Sequence, residues 1–171
     1  MFGEINKHDL LRKNLSKMVS QTLGIIGGGQ LGSMLASAAK KINIRTVIFS
    51  DDQDAPGQKF SDDFIFGKYD DENKINEFVE KVDIVTFEFE NIPFETLNKI
   101  NEVKKVLPKP SINKIIQHRL YEKDFINKCN FRTTLYDSIK NDKELKSKTN
   151  FVPGIIKTST LGYDGKRVSI K

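Results

Sequence analysis

Residues 22–35, TLGIIGGGQLGSML, restrict what this chain can become more than any other stretch. A short apolar run at 23–26, interrupted by Gly24, leads into Gly27, Gly28 and Gly29. Gln30, Leu31 and Gly32 follow, then a helical pattern with Leu31, Leu35, Ala38 and Ala39 on one face. Strand, glycine turn and helix in that order give meaning to the G-x-G-x-x-G spacing of Gly27, Gly29 and Gly32. In such a unit Gly27 permits a sharp turn, Gly29 lets backbone approach a bound phosphate, and Gly32 lets the helix pack closely on the strand. The free N–H groups and the dipole at the helix start favour an anion. The same spacing also serves simply to pack a helix on a sheet, so the motif alone leaves both readings open.

The pattern continues downstream. After a helix expected over 30–42, RTVIFS at 45–50 has the β-branched and aromatic character of a strand. It ends at Asp51 and Asp52, before an irregular loop containing Pro56 and Gly57. An acidic residue at this place binds a ribose hydroxyl in dinucleotide folds, although aspartates at strand ends also commonly form turns. DFIFG at 63–67 reads as a third strand, and 71–81 as a helix with Ile75, Phe78, Val79 and Val82 at helical spacing. DIVTF at 83–87 is a fourth strand, apolar enough to be covered on both faces. Pro93 suits the first position of a helix to about residue 105, and Val106 and Leu107 begin a fifth strand closed by Pro108 and Pro110. Alternating strands and helices imply an α/β fold, a Rossmann-like parallel sheet with right-handed crossovers. Ligands sit at the carboxyl ends of such strands, which brings residues 27–31 and 88–91 to one rim. Alternation sends Glu88 and Glu90 to one side and Phe87 and Phe89 to the other. The two glutamates either cap the next helix or accept hydrogen bonds from ribose hydroxyls or an amine.

Composition narrows the function classes. The 171 residues suit one domain and part of another, and no apolar run is long enough to span a membrane. Lys and Arg (28) are interleaved with Asp and Glu (23), so the net charge of +5 describes solvated faces rather than a nucleic-acid stripe. Cys129 has no partner for an internal disulfide and reads as a buried small hydrophobe in a reducing cytoplasm. His8, His118 and Cys129 are too scattered for a metal site. Residues 1–21 lack the apolar core of a signal peptide, and Glu4 and Asp9 count against an organelle-targeting helix, which leaves a loosely ordered or weakly helical extension. Met18, just before the first strand, is a candidate alternative start; an intact residue 1 on the natural protein, seen by mass spectrometry, rejects this.

Residues 111–117 and 119–130 read as helices with Leu120, Phe125 and Ile126 as core candidates, 131–136 as extended, and 137–148 as a polar helical piece. These make 111–150 a helical connection between a domain at 22–110 and a further unit starting at 151. An apolar strand at 151–156, expected to lack a pairing partner, delivers Lys157 five residues before a Gly-x-x-Gly flap formed by Gly162 and Gly165. A lysine followed by such a flap can grip a nucleotide, the one supplying charge and the other backbone N–H donors.

Four motifs occur in a set order: IIGGGQLG at 25–32, TFEFENIP at 86–93, the helices of 111–123 with Arg119, and Lys157 with GYDGK at 162–166. Together they resemble 5-(carboxyamino)imidazole ribonucleotide synthase, an ATP-grasp ligase of purine biosynthesis, over nearly all of the chain after its extension. Gln30 separates this family from the related formyl-transferring glycinamide ribonucleotide enzyme, which carries glutamate there. The resemblance implies that ATP phosphorylates bicarbonate and that the amine of aminoimidazole ribonucleotide captures the carboxyl group. It implies a pre-ATP-grasp domain followed by the first part of an ATP-grasp domain. Gln30, Leu31 and Glu88, with Tyr163 and Asp164, would hold the ribonucleotide. Arg119, Lys157, Gly162, Tyr163, Asp164, Gly165 and Lys166 would contact ATP. The resemblance also implies Mg²⁺, with ligands beyond this stretch, and a homodimer for the full-length enzyme. Without it, Arg119 reads as a surface helix arginine and Lys157 as a solvated strand end.

Two departures stand out. The family continues GYDGKGQ, whereas Arg167 stands here in place of the glycine, and the sequence stops at Lys171, before the residues that complete an ATP-grasp site. A truncated or frameshifted gene accounts for both, and the expectation is a fragment without ligase activity of its own. Two other readings remain: a nicotinamide-cofactor oxidoreductase domain, carried by G-x-G-x-x-G and Asp51, and a non-catalytic module binding a ribonucleotide.

Overall fold

The computed structural model describes residues 21–151, 153–161 and 168–170. The chain divides into two compact units at Pro110. In the first, β1 (Thr22–Ile26), β2 (Arg45–Ser50), β3 (Asp63–Phe66), β4 (Ile84–Phe87) and β5 (Lys105–Val106) form one sheet in the order β3-β2-β1-β4-β5. Every pairing is parallel. The connecting helices are α1 (Gln30–Lys41), α2 (Glu72–Lys81) and α3 (Phe94–Val103). Strand order reverses between β1 and β4, the place where a doubly wound sheet opens a crevice beyond its carboxyl ends.

Short-range chemistry pins the register. Asp62 accepts from Thr46 N–H at 2.7 Å and returns its own N–H to Thr46 O at 3.0 Å. Asp83 does the same for Thr22, at 2.7 and 2.9 Å. The residues preceding β3 and β4 thus lock those strands to the starts of β2 and β1. Asp71 caps α2, its carboxylate accepting from the N–H groups of Asn73 and Lys74.

The two faces of the sheet are packed unequally. Side chains alternate along β1 and β2, so Ile26, Val47 and Phe49 point to α2 and α3 while Ile25 and Ile48 point to α1. On the first side lies the larger core, with Phe78, Val85, Leu97 and Ile100 fully buried, and Phe49 packs beside Tyr69 and Phe78. A Cβ on Gly24 would fall 2.5 Å from Phe78 Cζ, so the bare backbone of the central strand is the seat of that ring. On the other side α1 buries only Gly32, Ser33, Ala36 and Ala39. This corrects the expected helix face. Leu31 and Ala38 are exposed and Leu35 is half-buried, because close approach of α1 to the sheet selects the small side chains.

The second unit holds α4 (Pro110–Ile116, which begins on the boundary residue), α5 (Arg119–Lys128), α6 (Asp142–Ser147) and an antiparallel hairpin of β6 (Ile155–Lys157) and β7 (Val168–Ile170). Several expectations change here. No residue of α5 is buried, and Phe125 is 45% exposed. Cys129 is exposed rather than buried, since it caps α5 at its solvent end. Residues 131–140 have no regular structure, and the polar helix is confined to 142–147. The apolar strand starts at 155, behind a short 3₁₀ turn at Thr149–Phe151, and it has a pairing partner, β7, on one side. Among the described residues no helix is long and apolar enough to cross a membrane.

In urea unfolding of the full chain, Phe78→Ala should cost about 3 to 5 kcal/mol, since the notch at Gly24 cannot close over the void. Asp71→Ala, which removes only a cap, should cost about 1 kcal/mol.

Candidate functional site

The crevice at the β1–β4 reversal is built by the glycine turn and by one carboxylate. Gly27 ends β1 with φ +103°, a conformation that side chains rarely adopt, and its N–H donates to Phe49 O at 2.9 Å. Beside it, Glu88 leaves β4 with its N–H donating to Ile26 O at 3.2 Å. Its side chain turns back over the motif. A Cβ on Gly27 would lie 2.7 Å from Glu88 Oε1, one on Gly29 3.3 Å from the same oxygen, and one on Gly32 3.4 Å from Glu88 Cγ. Gly27, and less tightly Gly29, therefore make room for Glu88, whereas the distance at Gly32 is an ordinary contact. Gly32 is bare for another reason: its Cβ would strike Gly27 O at 2.4 Å.

Gly29 is the N-cap of α1, and its backbone N–H lies near enough to the Glu88 carboxylate to favour the charged form. The Glu88 carboxylate thus stands beside this helix start. Burial raises the Glu88 pKa above the usual glutamate value; the Gly29 N–H opposes this and the charge of Glu90 adds to it. A phosphate at the same helix start would meet that carboxylate at close range. Like charges 4 Å apart repel by about 4 kcal/mol at an effective dielectric of 20. Hydroxyl or amine donors meet an acceptor instead.

Other features of the rim follow from the loop after β2. Gly57 N–H donates to Gly28 O at 2.8 Å, and Ala55 and Ser50 occupy the space beside Gly28. Asp51, the candidate ribose ligand of a dinucleotide fold, lies near the Tyr69 phenol, whose pKa is raised first by burial and then by the Asp51 charge. Gln30 and Leu31 form the exposed first turn of α1 on this rim. Glu90 lies in a turn over residues 90–91, so a bend rather than strand alternation directs the two glutamates. Gly57 and Gly28 join the rim through their hydrogen bond, and the Pro56-Gly57 pair in the loop after β2 is the sequence signal for it.

In the second unit, Lys157 ends β6 and is exposed. Arg119 N–H donates to Ser159 O at 2.9 Å, which ties the start of α5 to the chain two residues beyond Lys157. His118, just before α5, stacks on Tyr121 with ring centroids 4.0 Å apart. The remaining flap candidates, Gly162, Tyr163, Asp164, Gly165 and Lys166, and the departure at Arg167, lie outside the described residues. Among the described residues there is no group of three His, Cys, Asp or Glu that could hold a metal ion.

Residues 20–117 match the ribonucleotide synthetase preATP-grasp domain family. A protein of Staphylococcus haemolyticus named N5-carboxyaminoimidazole ribonucleotide synthase is 36% identical over 156 residues, covering 90% of this chain and 42% of that protein. One of the same name from Brucella melitensis is 37% identical over 147 residues, covering 85% and 41%. The solved structure of the Staphylococcus aureus N5-carboxyaminoimidazole synthetase complexed with ADP gives a TM-score of 0.80 at 33% identity, covering 88% of this chain and 41% of that one. The Thermus thermophilus synthetase gives 0.75 at 25% identity, covering 86% and 40%. The chain spans about two fifths of the length of these curated relatives.

Burial of Glu88 has a consequence for stability. A carboxyl whose folded pKa is raised stabilises fully below the ordinary glutamate value of 4.5, and that contribution is lost as pH rises through the higher folded value. Glu88→Gln cannot ionise, so its stability relative to the natural chain should increase from pH 4.5 upward. Urea titrations of both proteins across that range check this; a difference that does not change with pH contradicts it.

Proposed function

Since the chain belongs to the ribonucleotide synthetase preATP-grasp domain family, we propose that it forms the ribonucleotide-facing part of an ATP-dependent carboxylating ligase. The substrate is 5-aminoimidazole ribonucleotide, and the product is its N5-carboxy derivative. Bicarbonate oxygen attacks the γ-phosphorus of ATP, giving carboxyphosphate and ADP. The aminoimidazole nitrogen then attacks the carboxyl carbon, phosphate departs, and the nitrogen loses a proton to leave a carbamate. Such chemistry depends on positioning and on neutralising charge more than on a protein nucleophile.

The observation that carries this reading is the Glu88 carboxylate held on the glycine turn at the reversal of strand order. It offers a fixed acceptor to ribose hydroxyls or an amine and repels phosphate, so it orients the ribonucleotide with its donors inward. Gln30 and Leu31 line the same rim. Arg119 and Lys157, with Gly162, Tyr163, Asp164, Gly165 and Lys166, serve the nucleotide. Mg²⁺ belongs to this proposal as the counter-ion of ATP, and the described residues contain no metal-binding cluster. A cytoplasmic location and a homodimeric full-length enzyme complete the reading.

Calorimetric titration of the full chain with aminoimidazole ribonucleotide, ATP and NAD tests it. The ribonucleotide should bind in preference to NAD. Glu88→Ala should weaken ribonucleotide binding by about 10- to 100-fold, the worth of a charged hydrogen bond of about 1.5 to 3 kcal/mol. Tighter binding of NAD, or an unchanged ribonucleotide affinity in Glu88→Ala, overturns the assignment.

A further inference from the structure

The peptide unit joining Gly28 to Gly29 is gripped from one side and faces Glu88 on the other. Gly57 N–H donates to Gly28 O at 2.8 Å. In a planar trans peptide the carbonyl and the following N–H point in opposite directions. A Gly28 carbonyl fastened to the loop after β2 therefore turns the Gly29 N–H away from that loop. Space around the two glycines divides the same way. A Cβ on Gly28 would meet Ala55 and Ser50, at the end of β2 and in its loop, whereas one on Gly29 would meet Glu88 Oε1 at 3.3 Å. The Gly29 N–H favours the charged form of Glu88 against the effect of burial.

Gly57 is itself confined. A Cβ there would lie 2.7 Å from Ile48 Cδ1 and 3.0 Å from Gly28 O, the acceptor of its own hydrogen bond. Gly57 and Ile48 are both buried, and Pro56 opens the 3₁₀ turn Pro56–Lys59 with a fixed backbone angle. Further bonds close the loop: Ala55 N–H donates to Asp52 O at 3.3 Å, and Asp52 N–H to Ser50 Oγ at 3.2 Å. A side chain at 57 can be housed only by pressing on Ile48 or on the Gly28 carbonyl.

We propose that Gly57 is a positioning residue for Glu88: its N–H clamps the Gly28–Gly29 peptide, and the clamp keeps the Gly29 N–H turned toward the carboxylate. Gly57 acts on a ligand through Glu88, so its bearing on ribonucleotide binding rests on the function proposed above. Glu90, in the turn after β4, is the charged neighbour that acts on Glu88. The first turn of α1 brings no charge, and Asp51, Asp52 and Asp54 of the β2 loop are exposed.

Carbon-13 NMR of the glutamate side-chain carboxyls in the full chain, with Glu88→Gln to assign the resonance, follows Glu88 directly and needs no ligand. In Gly57→Ala the added methyl presses on Gly28 O, so the Glu88 midpoint should move to higher pH. Ile100→Val, which thins the core near the start of β5, should leave that midpoint in place. Ribonucleotide affinity, read by calorimetry, should fall about 2- to 10-fold in Gly57→Ala, the equivalent of one net hydrogen bond. An unmoved midpoint in Gly57→Ala, or an equal movement in Ile100→Val, overturns the proposal. A moved midpoint with unchanged ribonucleotide affinity upholds the clamp and counts instead against the ligand role of Glu88. Should Gly57→Ala fail to fold, replacing Gly57 by glycolic acid gives the second measurement. The backbone ester lacks the N–H and adds no atom to the crowded space; the same upward movement is expected, and its absence overturns the proposal.

Discussion

A carboxylate lodged against the amino end of a helix governs everything at the rim of the first unit. Glu88 lies there because Gly27 takes a positive φ and because Gly27 and Gly29 have no side chains to crowd its carboxylate. Burial penalises the charge, and the nearby backbone N–H of Gly29 partly offsets that. The result is a fixed negative centre at the reversal of strand order, where related sheets receive an anion. In the proposed function that centre favours a ligand that presents hydrogen-bond donors over one that presents phosphate.

Much of this was legible in the sequence, for reasons that differ by element. The strands at 45–50 and 84–87 are built on short runs of apolar and β-branched residues, 46–49 and 84–87, and their shortness and place between helical segments identify them. Asp71 announces the start of α2 as a capping side chain. The rim could also be foreseen, since parallel connectivity puts residues 27–31 and 88–91 at the same end of the sheet. The occupant of the glycine turn could not be: G-x-G-x-x-G specifies space, and space serves a glutamate from β4 as well as a phosphate. The buried face of α1 was misread because Leu31 outweighs Ser33 or Ala36 in hydrophobicity, whereas close helix–sheet approach selects for size. In the second unit, Phe125 and Cys129 look like core residues by type, yet α5 buries none of its side chains. A helix with weak apolar periodicity gives no reliable inward direction.

The sheet is lopsided. Twelve buried residues form the cluster under α2 and α3, against three under α1. Cohesion of the first unit therefore resides on the side away from α1, while α1 is held by tight backbone approach and by its role in the glycine turn. Gly57 extends that role, since its hydrogen bond to Gly28 O fastens the loop after β2 to the same bend. The rim is stiffened from two directions, by β4 through Glu88 and by β2 through the loop.

The seat that Gly24 offers to Phe78 ties two distant positions into a single inheritance. A larger residue at 24 can survive only in a lineage where the ring at 78 has already shrunk, and a smaller residue at 78 invites a side chain back at 24. Divergent descendants of this domain should therefore trade bulk between the central strand and α2 as a pair, preserving their combined volume while neither letter stays constant.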